Sequence, residues 1–66
     1  MNFAERLKEL RTEKNMSQAA LAKIIGVSQK AIDFWERGIN EPKASYIVAL
    51  SKFFEVSCDF LLGQES

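Results

Sequence analysis

Histidine is absent from this chain, and cysteine occurs once, at Cys58. These two shortages remove most of the chemistry a small domain could carry. Without an imidazole there is no His-based triad and no thiol–imidazole pair. With a single thiol there is no intramolecular disulfide and no thiolate cluster for zinc. A solitary cysteine is expected here as a small, half-buried apolar residue. Net charge is also lacking, since nine Lys and Arg balance nine Asp and Glu. No apolar run approaches the ~18 residues of a membrane span, and no segment is laid out as a signal peptide. The expectation is a cytoplasmic protein with no membrane partner, no metal and no cofactor.

What remains is a 66-residue chain, 47% hydrophobic and 27% charged, which is globular in composition and long enough for one domain spanning residues 1–66. A domain this small buries only ~60% of the surface of its unfolded chain, so its stability is marginal.

Helical periodicity and end signals divide the chain into five helices, and no segment alternates as a strand does. Asn2 with Glu5 three residues on resembles a capping box, and Phe3, Leu7 and Leu10 form the apolar stripe of a first helix running to about Lys14. Ser17 caps a second helix, Gln18 to Ile25. Ser28 caps a third, Gln29 to about Arg37, which Gly38 ends. After the loop Ile39–Pro42, a fourth helix runs from about Lys43 to Phe54 and buries Ile47, Leu50 and Phe54. Ser57 caps a short fifth helix, Cys58 to Leu62, which Gly63 ends; Gln64 to Ser66 form a polar tail. The fold class is all-α, a compact five-helix domain.

The stretch from residue 18 to residue 37 carries the functional signal. Its two helices are separated only by Gly26, Val27 and Ser28, with Gly26 where the turn needs positive φ. Helices this short and this close must cross steeply, which is helix-turn-helix geometry, and the second of them can enter a DNA major groove. Leu21, Ala22, Ile25, Val27, Ile32 and Trp35 fall on inward positions and are read as core. Gln29, Lys30, Asp33, Phe34 and Arg37 form the outer face of the third helix. Gln29 can pair with adenine, Lys30 can donate to guanine, and Asp33 can accept from cytosine N4. The plain alternative for these is a solvated helix face. Phe34 has two readings, contact with thymine methyls or partial burial beside Trp35 or Ile39.

Phosphate contacts are expected around this face. Gln18 stands at the start of the second helix, where free backbone N–H groups favour an anion. Ser17, Ser28, Arg37, Asn40, Lys43, Ser45 and Tyr46 are the other candidates, with capping alone as the competing role of the two serines at 17 and 28. Between Ser17 and Lys43 the cations Lys23, Lys30, Arg37 and Lys43 face Asp33, Glu36 and Glu41. An internal partner for Glu36 would leave the face mildly basic. Arg11, at the inner edge of the first helix, is the candidate, giving a partly buried pair that ties this helix to the third.

The chain resembles the Cro/C1-type helix-turn-helix family of XRE-like regulators, which includes the DNA-binding domains of lambdoid phage repressors. The resemblance runs through R-x-x-K-N-M-S-Q-x-x-L-A at Arg11 to Ala22, I-G-V-S at Ile25 to Ser28, I-D-F-W-E-R-G at Ile32 to Gly38, and V-S-x-D-x-L-L-G at Val56 to Gly63. It implies DNA-facing positions for Gln18, Gln29, Lys30, Asp33 and Phe34, and an internal ion pair of Arg11 with Glu36. It also implies a homodimer, weak without DNA, with Ile39, Cys58, Phe60 and Leu61 near the two-fold axis. Two features depart from the family pattern: Phe34 stands where polar base-readers are common, and the chain is neutral. The function expected is a sequence-specific regulator of transcription, a repressor on a pseudo-palindromic double-stranded operator, with no catalysis and no small-molecule ligand in this domain. The rival reading is a protein-interaction module that kept the fold and lost DNA binding, as neutrality would permit.

Overall fold

Side-chain oxygens at four positions set where four of the five helices begin. Asn2, Ser17, Ser28 and Ser57 each accept a hydrogen bond from the backbone N–H three residues on, at 2.9–3.1 Å. Each thereby satisfies a donor that the first turn leaves open. At Asn2 the bond is reciprocal, because the Asn2 N–H donates to Glu5 Oε1 at 3.1 Å. The computed structural model describes residues 1–64, and the last two residues of the expected tail, Glu65 and Ser66, lie outside the described residues. The helices are α1 (Phe3–Glu13), α2 (Gln18–Ile25), α3 (Gln29–Glu36), α4 (Ala44–Phe54) and α5 (Cys58–Leu61), within one residue of the bounds read from the sequence. Among them α4 has no side-chain cap: Lys43 occupies its N-cap position, directly after Pro42.

Two turns in the chain have the same form. After α2, Gly26 takes φ 86°, and the N–H groups of Gly26 and Val27 both donate to Ala22 O, at 2.8 and 3.0 Å. After α4, Glu55 takes φ 56° and Val56 N donates to Ser51 O at 3.0 Å. A Val-Ser pair follows in both, and the serine caps the next helix. The repetition is one of backbone geometry, and only Val-Ser is common to the two sequences.

Leu7, Leu21, Ala22, Ile32, Trp35, Leu50, Phe54 and Leu61 form the buried core, drawn from all five helices. Phe3, Leu10, Met16, Ile25, Val27 and Ile47 pack half-buried around it. Ile47 is therefore less enclosed than expected. The larger correction concerns Leu61. Its side chain is 0% exposed, so it is packed inside the domain and is not offered as a contact surface. The fifth helix has about one turn with which to seal the end of the core, and Leu61 is the side chain that does so. The neighbouring Leu62 is the exposed one.

Sequence reasoning missed Arg6. It is 7% exposed, its guanidinium lies 3.8 Å from the Phe60 ring centroid, and its Nη1 is 3.5 Å from Glu9 Oε1. The signal was available: Arg6 follows Phe3 by three residues and so lies on the inward stripe of α1. Its aliphatic stem and planar head fill that position by stacking on an aromatic ring. No helix among the described residues is long and apolar enough to cross a membrane.

The glycines at 26 and 63 separate two costs. Both have positive φ, but a Cβ on Gly26 would meet nothing within 4 Å, whereas one on Gly63 would come 2.1 Å from Met1 O. Gly26→Ala should cost about 1–2 kcal/mol from the left-handed backbone alone. Gly63→Ala should cost more, because the N-terminal backbone must also move. Urea unfolding of the two variants checks the order.

Candidate nucleic-acid interface

The orientation of α3 is set from beneath by one arginine. Arg11 Nε and Nη2 donate to Glu36 Oε2 and Oε1 at 2.6 and 2.9 Å, and Nη1 donates to Met16 O at 2.7 Å. This is the two-point geometry in which a guanidinium matches a carboxylate. Both side chains are withdrawn from water, with exposures of 11% for Arg11 and 3% for Glu36. The hydrogen bond to Glu36 raises the Arg11 pKa further above its ordinary value. The third donor holds the turn between α1 and α2. One side chain thus joins α1, the entry to α2 and the end of α3.

The network continues outward through Gln18. Its Nε2 donates to Glu36 Oε1 at 3.2 Å and to Asp33 Oδ1 at 3.3 Å. Asp33 Oδ2 accepts from Arg37 Nη1 at 3.0 Å, across one turn of α3. Arg37, and then Gln18, hold the Asp33 carboxyl below its ordinary pKa. The chain of contacts runs from Arg11 to Glu36, through the neutral Gln18 amide to Asp33, and on to Arg37. It starts in the core and ends on the exposed face.

Gln29 and Lys30 are exposed on the first turn of α3. Phe34 is half-buried, and Lys30 Nζ lies 5.5 Å from its ring centroid. Asp33 is also half-buried and already engaged on both oxygens. Gln18 differs from expectation most clearly, because both amide hydrogens bridge carboxylates of α3 and do not stand free for a phosphate. What the start of α2 still offers an anion is its backbone N–H groups. Ser17 and Ser28 act as caps, and that role uses the hydroxyl oxygen as acceptor and leaves its O–H to donate.

Asn40, Lys43 and Ser45 are exposed on the α3–α4 loop and the first turn of α4. Tyr46 in that turn packs its ring 5.7 Å from Trp35, which brings the start of α4 to the flank of α3. The N-terminus of α4 lacks a side-chain cap, so its first N–H groups are open to an anion. Ile39 is 52% exposed. Cys58 is half-buried, with Sγ 3.5 Å from Ser51 Oγ, and Phe60 is half-buried beneath Arg6. Among the described residues no group of His, Cys, Asp and Glu is placed to hold a metal ion. Sequence reasoning missed the Asp33–Arg37 pair, although the four-residue spacing was its signal.

The sequence pattern of the helix-turn-helix family matches residues 7–61. The chain is 45% identical over 60 residues to Repressor protein C2 of Salmonella phage P22, across 91% of this chain and 28% of that protein. It is 45% identical over 65 residues to the HTH-type transcriptional activator BcrR of Enterococcus faecalis, across 98% of this chain and 32% of that one. It therefore spans about a third of the length of these two curated relatives. A crystal structure of the P22 c2 repressor protein in complex with synthetic operator 9T matches with a TM-score of 0.91 at 40% identity, covering 98% of each chain.

Two outcomes follow from the network. Arg11→Met leaves the Glu36 carboxylate buried without its cation and should cost about 3–5 kcal/mol, most of it recovered in Arg11→Met/Glu36→Leu. Chemical denaturation of the single and double variants measures this. The Asp33 pKa is lower in the folded than in the unfolded chain. Its contribution to stability is therefore present above the unfolded value and lost as pH falls through the folded one. Arg37→Gln should move the Asp33 midpoint upward in a carboxyl NMR titration.

Proposed function

This chain belongs to the helix-turn-helix family, in its Cro/C1-type branch, and from that premise we propose that residues 1–66 form one DNA-binding domain of a transcriptional repressor. It reads a pseudo-palindromic duplex operator as a dimer, with α3 in the major groove and half-sites about one helical turn (~34 Å) apart. The observation that carries this reading is the presentation of α3. Its inner end is fixed by the buried Arg11–Glu36 pair, while Gln29 and Lys30 stand exposed on its first turn. The base contacts are Gln29 and Lys30, with Phe34 meeting a thymine methyl and Asp33 accepting from cytosine N4.

The phosphate contacts flank that face. Ser17 and Ser28 donate their hydroxyls, and Arg37, Asn40, Lys43, Ser45 and Tyr46 line the other side. The uncapped start of α4 favours the same assignment, because Lys43 stands at its N-cap position beside N–H groups that no side chain satisfies. The dimer forms through Ile39, Leu62 and the accessible parts of Cys58 and Phe60, and associates weakly without DNA.

Selection from a random duplex pool at low salt should recover a two-fold symmetric sequence. Against it, Gln29→Ala should lose about 1–3 kcal/mol and relax one base position. Lys43→Ala should weaken all duplexes alike and make the slope of log K against log salt shallower by about 0.9. A chain that enriches no sequence and binds no duplex at low salt would overturn the reading in favour of a protein partner.

A further inference from the structure

Asp33 places a carboxylate in the middle of the face assigned to a polyanion. Its pairing with Arg37 adds little to folding, as expected of a largely solvent-accessible pair one helical turn apart. Geometry suggests another use. Asp33 Oδ2 holds Arg37 at 3.0 Å, and Oδ1 is held by Gln18, whose amide is itself fixed to the buried Glu36 at 3.2 Å. The carboxylate cannot swing aside to release Arg37 without breaking a bond to α2. The side chain of Arg37 is 60% exposed, so a phosphate can reach it.

We propose that Asp33 is a specificity-determining residue that acts by holding Arg37, so that the two exchange partners together when the correct duplex binds. This rests on α3 being the recognition helix. In the exchange Arg37 leaves Asp33 for a phosphate, and Asp33 leaves Arg37 for a base-edge amino group such as cytosine N4. On the correct sequence both groups end paired. On any other sequence the pair stays closed, because drawing Arg37 to a phosphate would leave Asp33 against the duplex without a cation. The internal pair thus weakens non-specific binding, and discrimination grows because the competing background falls. While the pair is closed, Arg37 adds no net positive charge to the face.

The test compares wild type, Asp33→Asn, Arg37→Gln and the double variant. Each is titrated against the selected duplex and a random duplex over a range of salt, with Asp33→Ser as a second release variant and thermal melts to verify folding. Asp33→Asn should raise affinity for random duplex severalfold at low salt. It should deepen the salt slope by about 0.9, one further phosphate contact. The ratio of selected to random affinity should fall. In the Arg37→Gln background the same substitution should leave the slope unchanged. Glu41→Gln, which removes an equal charge from the exposed α3–α4 loop without freeing a cation, should leave the slope unchanged as well.

An equal slope change with and without Arg37 would make Asp33 a bare repulsive charge and overturn the proposal. So would an unchanged affinity ratio in Asp33→Asn. Failure of the underlying reading looks different, because then neither wild type nor Asp33→Asn binds any duplex.

Discussion

Everything that the outer face can do depends on the Arg11–Glu36 pair. A helix of eight residues is too short to hold itself in place. Hydrophobic contacts of Ile32 and Trp35 keep α3 against the core, but such contacts are weakly directional. A two-point guanidinium–carboxylate contact is directional. By also binding Met16 O, Arg11 fixes the position of α3 relative to both ends of the α1–α2 connection. Burial raises the consequence of losing either partner, since a lone charge would remain in a dry site. The pair is therefore better understood as setting geometry than as adding stability.

Electrostatic neutrality has a structural explanation at this surface. Of the two cations on or just beyond α3, Arg37 is matched by Asp33, while Lys30 lies over the Phe34 ring. Glu36 is answered from within by Arg11 and adds nothing to the outer face. A composition with equal numbers of each sign is thus compatible with a local field that favours phosphate, because Asp33 and Glu36, the two acids of α3, have partners. The open N-terminus of α4, beside Lys43, adds to that field without adding a charged residue.

Much of the fold was legible because its punctuation is local. Asn2, Ser17, Ser28 and Ser57 act on N–H groups three residues away, and glycine conformations depend on their own φ. Contacts between helices were less legible. Gln18 and Asp33 are fifteen residues apart, and only the crossing of α2 over α3 brings the amide to the carboxylate. The burial of Leu61 was harder still to read, because a one-turn helix has too little periodicity to show its inner side. The arginine at position 6 was hidden by the habit of reading charge as exposure, although its planar head suits stacking on Phe60.

The closeness of Gly63 to the Met1 carbonyl has a topological consequence. The first residue and the exit of α5 are in van der Waals contact, so the described backbone is nearly a closed ring. A short flexible joint could close it, and the ring could then be reopened at the exposed Ile39–Glu41 segment without cutting a helix. Such a circular permutant would keep every core side chain. In it α3 would close the chain and α4 would open it, leaving Trp35 and Tyr46 to find each other with no peptide link between their helices.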